Sequence, residues 1–195
     1  MSDWDGASCY KIMPRSAVKS ANAFAKKRDE FSKSKLTMTL DYIFGKSTSR
    51  SLKYSDLEFK YSRRTGRLKY VLAKGAKNVL FSFRPNGSIA PTMQGFAMLL
   101  SNHKLAKIKN RPRWSVTVID GVSEVVAGGK TVFCKHVVAC SDSLRAGQDV
   151  AILNEKGDLL ATGRTIIAGP LMKQFKRGAA VKVREGVQKI ASDES

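Results

Sequence analysis

From Leu57 onward, apolar and polar positions alternate along the chain. Leu57, Phe59 and Tyr61 fall on one side of "LEFKY", with Glu58 and Lys60 on the other, which is the period of a half-buried strand. Short apolar runs continue through "RRTGRLKYVLAKGAKNVLFSFRPNGSIAPT", interrupted at Thr65-Gly66, Gly75 and Asn86-Gly87. Glycine and asparagine tolerate the backbone conformations that tight turns demand, so an antiparallel meander of about three or four strands is expected. Helical spacing flanks this region. After a loose start over residues 1–13, Pro14 and Ser16 precede "AVKSANAFAKKRDEF", and Ser16 is a candidate cap. Ala17, Val18, Ala21, Phe24 and Ala25 form one apolar stripe, while Lys19, Lys26, Lys27 and Arg28 lie largely off it, as a solvated face or a phosphate-facing ridge. In "MQGFAMLLSNHKLA", Phe96, Leu99, Leu100 and Leu105 are expected to face the sheet.

A basic, polar segment, "KIKNRPR" from Lys107 to Arg113, interrupts the apolar pattern and sets a boundary near residue 110. Beyond it the chain is richer in valine and glycine. "WSVTVID" is expected as a strand, "SEVVAGG" as a short helix ended by glycine, and "TVFCKHVVA" as a second strand. "QDVAILNEKGDLLATGRTII" predicts two strands around Glu155-Lys156-Gly157, "GPLMKQFKRG" a short helix, and "AAVKVRE" a last strand. About five short strands and two brief helices point to a small β-barrel. The expected class is α+β: an N-terminal helix and small antiparallel sheet over 1–110, then a barrel over 111–195.

Composition narrows the partners. The 195 residues are 43% hydrophobic, which suits a globular chain, and no apolar run reaches the roughly 18 residues of a membrane span. Neither does the start resemble a signal peptide, so a cytoplasmic location is expected. Three cysteines are an odd number for a disulfide framework, and reduced thiols are expected. Lysine and arginine outnumber aspartate and glutamate 35 to 16, a net charge of +19 that suits a polyanionic partner. Residues 1–110 hold 22 basic and 7 acidic residues (+15), whereas 111–195 hold 13 and 9 (+4). A membrane surface is the weaker candidate, because no segment sets a basic face against a stripe of large Trp, Phe and Leu side chains.

The run "GGKTVFCKHVVACSDSLRAGQDVAILNEKGDLLATGRTIIAGPLMKQFKRGAAVKVREG" resembles a PUA domain, the RNA-binding fold named after pseudouridine synthases and archaeosine transglycosylases. It looks most like the version that ends archaeal tRNA-guanine transglycosylase. "LDYIFGKS", "YSRRTGRLKYVL" and "FRPNGSIAPTMQGFAMLL" are similar to the module preceding the PUA domain in that enzyme. The resemblance implies a tRNA-binding protein with a PUA-type barrel. The family enzyme also has a TIM-barrel catalytic domain, with an aspartate nucleophile and a zinc site, for which this chain has no room. What is implied is therefore a non-catalytic subunit of a split, archaeosine-forming transglycosylase, needing no cofactor and partnered by tRNA and a separate TIM-barrel chain. The alternative is a free-standing RNA-binding adaptor for another tRNA or rRNA modification enzyme, such as archaeosine synthase.

The resemblance assigns the barrel to the acceptor stem and single-stranded 3′ end of tRNA. Gly128 and Gly129 would permit close backbone approach, with Lys130 adding charge and Thr131 a hydroxyl. Lys135, Arg164, Lys173, Arg177, Lys182 and Arg184 are candidates for phosphates, and Lys182 and Arg184, two apart, would share a strand face. Phe133 is either a stacking surface for a base or the edge of a core. In the first module Arg63, Arg64, Arg67 and Lys69 crowd one turn, with Arg84 on a later strand; by resemblance they would hold an opened D-arm.

Cys134, His136 and Cys140 raise the competing possibility of a metal or thiol site. Zinc wants about four ligands in paired spacings, and no fourth ligand is near. A cysteine nucleophile with His136 as base lacks a visible orienting acid. Cys134 and Cys140 are expected to be small buried hydrophobes.

Overall fold

The computed structural model describes residues 15–46, 48–76, 78–101 and 111–188. Residues 1–13, Leu105 and most of the expected boundary at 107–113 lie outside this set, as do the side chains of Ser16, Ala17, Val18, Lys19, Ala21 and Ala25.

Helix α1 (Arg15–Phe44) runs for 30 residues, far past "RDEF". Its buried face is Ser32, Leu36, Leu40 and Phe44, spaced by four so that they stack on one side. The expected stripe through Phe24 is not that face, since Phe24 is 75% exposed. Among the described side chains of α1 the first buried one is Ser32, about two turns beyond Phe24. Tyr61 meets the helix here. Its hydroxyl meets Ser32 Oγ and Asp29 Oδ1, both at 2.8 Å, and the Arg28 guanidinium lies 4.0 Å from its ring centroid. Burial pushes the Tyr61 phenol above its usual range, with the Asp29 charge adding to the shift. Beyond the helix, Asp41 accepts from Ser49 N–H and Oγ–H at 2.9 Å and draws the following turn back.

The meander has four strands, β1 (Leu57–Tyr61), β2 (Leu68–Ala73), β3 (Val79–Phe83) and β4 (Ile89–Pro91), paired antiparallel in chain order. Its turns are where glycine requires them: Gly66, Gly75 and Gly87 have φ of 64°, 77° and 83°. Helix α2 (Met93–Leu100) is capped by Thr92, whose Oγ1 accepts from Gly95 N–H. It buries Phe96, Leu99 and Leu100, as its spacing predicts.

The second half comprises β5 (Ser115–Val118), α3 (Ser123–Ala127), β6 (Val132–Phe133), β7 (Val137–Cys140), β8 (Asp149–Leu153), β9 (Leu159–Thr165), α4 (Gly169–Gln174) and β10 (Ala179–Gly186). The strand order is β6-β10-β9-β8-β5-β7, antiparallel except for β5 beside β8. The expected single strand "TVFCKHVVA" is therefore two. β6 bonds to one edge of the sheet and β7 to the other, and a 3-10 turn at Cys134–His136 carries the chain between them. A straight strand cannot change partners in this way. The turn brings the two edges together and leaves a nearly closed barrel.

Two clusters hold the fold. Inside the barrel, Val116, Val132, Cys134, Leu144, Val150, Ile152, Met172 and Val181 pack together. The other cluster joins α1, the first sheet and α2 to Trp114, Ala151 and Leu153 of the second half, so the two sheets share one core. Phe44, Phe96 and Trp114 meet at its centre, with Phe96 and Trp114 stacked at 5.3 Å and Phe44 edge-on to both. Glu185 adds a polar tie by accepting from Met93 N–H at the start of α2, where a negative charge is favoured. Among the described residues, no helix is long and apolar enough to cross a membrane.

Candidate nucleic-acid interface

The β1–β2 turn is closed by Ser62 N–H to Arg67 O and Gly66 N–H to Ser62 O, both 2.8 Å. Arg63, Arg64 and Arg67 in it and Lys69 just past it are all exposed. Arg64, Arg67 and Lys69 border a cleft of about 600 Å³ with Lys35, Phe83 and Arg84, and no acidic residue lines it among the described residues. The Lys35 and Lys69 ammonium nitrogens lie over the Phe83 and Tyr70 rings, 5.4 and 4.8 Å from the centroids. Cations held this closely repel one another until an anion or water relieves them, so the cleft suits a phosphate chain.

Two expected phosphate ligands are engaged elsewhere. Arg84 grips the Asp149 carboxylate with Nη1 at 2.7 Å and Nη2 at 3.0 Å, and Arg184 Nη1 reaches the same carboxylate at 3.2 Å. Arg184 also donates to Pro91 O at 2.7 Å. Asp149 is only 5% exposed, and a buried carboxylate requires such partners. Arg84 and Arg184 thus clamp the first sheet to the barrel while each keeps part of its side chain in solvent. Lys182 and Arg184, expected to share a strand face, are both exposed on β10, which bulges between Val183 and Glu185, and the Arg184 head is held by Asp149.

On the barrel, Gly128 and Gly129 close the end of α3. Their N–H groups donate to Glu124 O and Val126 O at 2.9 Å, and Gly129 has φ 88°. A helix end with a left-handed residue explains the glycine there. The loop is seated tightly, since a Cβ on Gly186 would lie 2.0 Å from Ala127 O. What it presents is Lys130 and Thr131, at the rim of a cleft of about 450 Å³ lined by Val122, Val125, Val126, Val132, Phe133 and His136. Phe133 is 47% exposed, which places it at the surface and not in the core. Lys135 is exposed beside it.

The remaining cations scatter around the barrel. Lys182 and Arg164 sit directly opposite on β10 and β9, both exposed, a like-charge pair that an anion would relieve. Arg164 Nε also donates to Gly147 O at 2.6 Å. Lys173 meets Asp142 at 2.8 Å, and that hydrogen bond raises its pKa. Arg177 is exposed beyond α4.

Cys134 and His136 do not share a strand face, because they sit in the 3-10 turn. Cys134 is buried in the barrel core. Cys140 is half-buried, its Sγ–H donates to Gly169 O at 3.3 Å, and burial pushes its thiol pKa up, against thiolate chemistry.

Asp149 and Val125 were not singled out from the sequence. A lone carboxylate opening the apolar run "DVAIL" in a chain with few acids was the available signal for Asp149. Nothing distinguishes Val125 from its valine neighbours before α3 is placed.

Residues 114–187 match the PUA domain, and residues 34–103 match the patch-forming domain C2 of tRNA-guanine transglycosylase. Similar curated proteins are tRNA-guanine(15) transglycosylases. The protein from Thermococcus onnurineus (strain NA1) is 35% identical over 150 residues, 76% of this chain and 24% of its own length. That from Methanocaldococcus jannaschii is 35% identical over 128 residues, 65% of this chain and 18% of its own. The chain thus spans a quarter or less of these relatives. Among solved structures, a hypothetical protein from Pyrococcus horikoshii OT3 is similar with a TM-score of 0.64 and 25% identity, over 87% of this chain and 96% of that one. A helix-backed meander sharing its core with a six-stranded barrel, matched in this order by both families, identifies the C2 patch-forming and PUA modules of archaeal tRNA-guanine transglycosylases in this chain.

Proposed function

We propose that this chain is the non-catalytic tRNA-binding subunit of a split archaeosine tRNA-guanine transglycosylase, with guanine exchange carried out by a separate TIM-barrel chain. The observation that carries the reading is the pairing of the two modules, in family order, with a cationic cleft on one and a cation-rimmed apolar cleft on the other.

On this reading the division of labour follows residues 1–110 and 111–195. Unpaired bases of the tRNA 3′ end rest against Phe133 and the valines, because any base offers a face for stacking. Lys130, Thr131, Lys135, Arg164, Lys173, Arg177 and Lys182 meet acceptor-stem phosphates. Arg63, Arg64, Arg67 and Lys69 hold the backbone of an opened D-arm. Unpairing costs a few kcal/mol, which several phosphate contacts offset.

Co-purification from the native source tests this proposal, with the associated chain identified by mass spectrometry. Recovery of a transglycosylase barrel together with tRNA is expected. A second reading is an adaptor for another RNA-modifying enzyme such as archaeosine synthase, since both modules are matched by RNA-related families and neither match names a catalytic domain. Amidotransferase or ribosomal proteins in place of the barrel would support it against the first.

A further inference from the structure

Helix α1 carries a second apolar face. Phe24, Phe31 and Met38 recur every seven residues and Tyr42 follows one turn later, with exposures of 75%, 72%, 70% and 90%. At about 100° per residue these four fall within roughly 40° of one another, on the side of the helix opposite Leu36 and Leu40. They form a straight ridge about 27 Å long, from residue 24 to residue 42. At its lower end Met38 and Tyr42 border a cleft of about 580 Å³ against the β3–β4 turn at Asn86-Gly87-Ser88. A seven-residue recurrence of large apolar side chains on a solvent face is the pattern of a helix that packs against another surface.

We propose that this ridge is the docking surface for the barrel-bearing catalytic chain, through an apolar groove on that chain rimmed by carboxylates. The proposal rests on the split-subunit reading for the identity of the occupant. Charge supplies the complementarity: Lys27 and Arg28 are exposed on either side of the ridge, and Lys46 is exposed just past the end of the helix. A second copy of this chain would set those cations against each other, on a module that carries +15 over residues 1–110. Area agrees as well. Two phenylalanines, a methionine and a tyrosine at these exposures offer on the order of 500 Å² of apolar surface, and the flanking cation stems bring the face towards the roughly 800 Å² per partner of a stable interface.

The test uses the full chain, the purified catalytic chain and tRNA. The double variant Phe31→Ser/Met38→Ser changes only exposed side chains, and Tyr42→Ser is a second, independent variant. Titration calorimetry against the catalytic chain should show binding weakened about 30-fold or more in the double variant, the loss of two anchoring side chains. Thermal melting and tRNA affinity should stay unchanged. Equal binding by wild type and both variants overturns the docking surface and leaves the split-subunit reading standing. Failure of the catalytic chain to bind even the wild type overturns both. A variant that loses tRNA affinity but keeps the catalytic chain identifies an RNA face. Wild-type dimers that the variants dissolve, measured by light scattering, identify self-association, and variant-sensitive sedimentation with phosphatidylglycerol vesicles identifies a lipid surface. Each of these three results overturns the proposal.

Discussion

Replacing Asp149 by alanine leaves Arg84 and Arg184 together at the join between the first sheet and the barrel. The 5% exposed carboxylate takes three guanidinium hydrogen bonds, at 2.7, 3.0 and 3.2 Å. Removing one partner of a fully buried ion pair costs roughly 3–5 kcal/mol. Here the arginine side chains retain 29% and 35% exposure, so water relieves part of that loss and about 2–3 kcal/mol is expected. For a chain of this size 1 kcal/mol corresponds to about 2–4 °C, so calorimetry should show Tm falling by roughly 4–12 °C. The same logic separates two roles for Arg84. A phosphate ligand, when removed, lowers the slope of log affinity for tRNA against log salt by about 0.7–0.9. A clamp, when removed, lowers Tm and leaves the slope intact. Arg84→Ala should therefore melt early with an unchanged salt slope, and its double-mutant cycle with Asp149→Ala should give a coupling of about 1.5 kcal/mol or more. A coupling below about 0.5 kcal/mol, typical of an exposed pair, with a salt slope lowered by one phosphate, would refute the clamp.

Three other expectations concern the barrel. Phe133→Ala should weaken tRNA binding by about 1–3 kcal/mol per stacked base in an anisotropy titration, with Tm nearly unchanged because the ring is half-exposed; loss of Tm without loss of affinity would place the ring in the core. Gly186→Ala should lower both Tm and tRNA affinity, since its Cβ would collide with Ala127 O and with Gly129 N at 3.0 Å, displacing the loop that carries Lys130; normal melting would contradict the tight seating. Cys140 should react with a disulfide reagent at pH 8 more slowly than an unstructured cysteine peptide, because its raised pKa keeps it protonated there, and the rate should keep rising above the ordinary cysteine range; a faster rate would reopen thiol chemistry.

Much of the chain could be read from local pattern. The alternation of Leu57, Phe59 and Tyr61, the glycines at 66, 75 and 87, and the turn before Gly157 each place an element through neighbours a few residues away. Partner choice could not be read this way. Arg84 and Arg184 resemble any other basic surface residues until the fold brings Asp149 to them across 65 and 35 residues. The strand through Cys134 breaks because its two ends pair with opposite edges of the sheet, a property of topology that no local spacing encodes. Phe24 falls on an apolar stripe of α1 and is nonetheless exposed, because periodicity identifies a face but not where its cover begins. The cationic turn at Arg63–Lys69 was legible because crowding of like charges is itself a local property.

Guanine exchange on tRNA, with labelled guanine, is the most direct test of the central claim. This chain alone, the barrel-bearing chain alone, and the two together should be compared at matched salt. The account predicts no exchange by this chain alone and a marked gain when it joins the barrel, lost again when Arg63, Arg64 and Arg67 are replaced by alanine. Exchange by this chain alone, or no effect of its addition on the barrel, would contradict it.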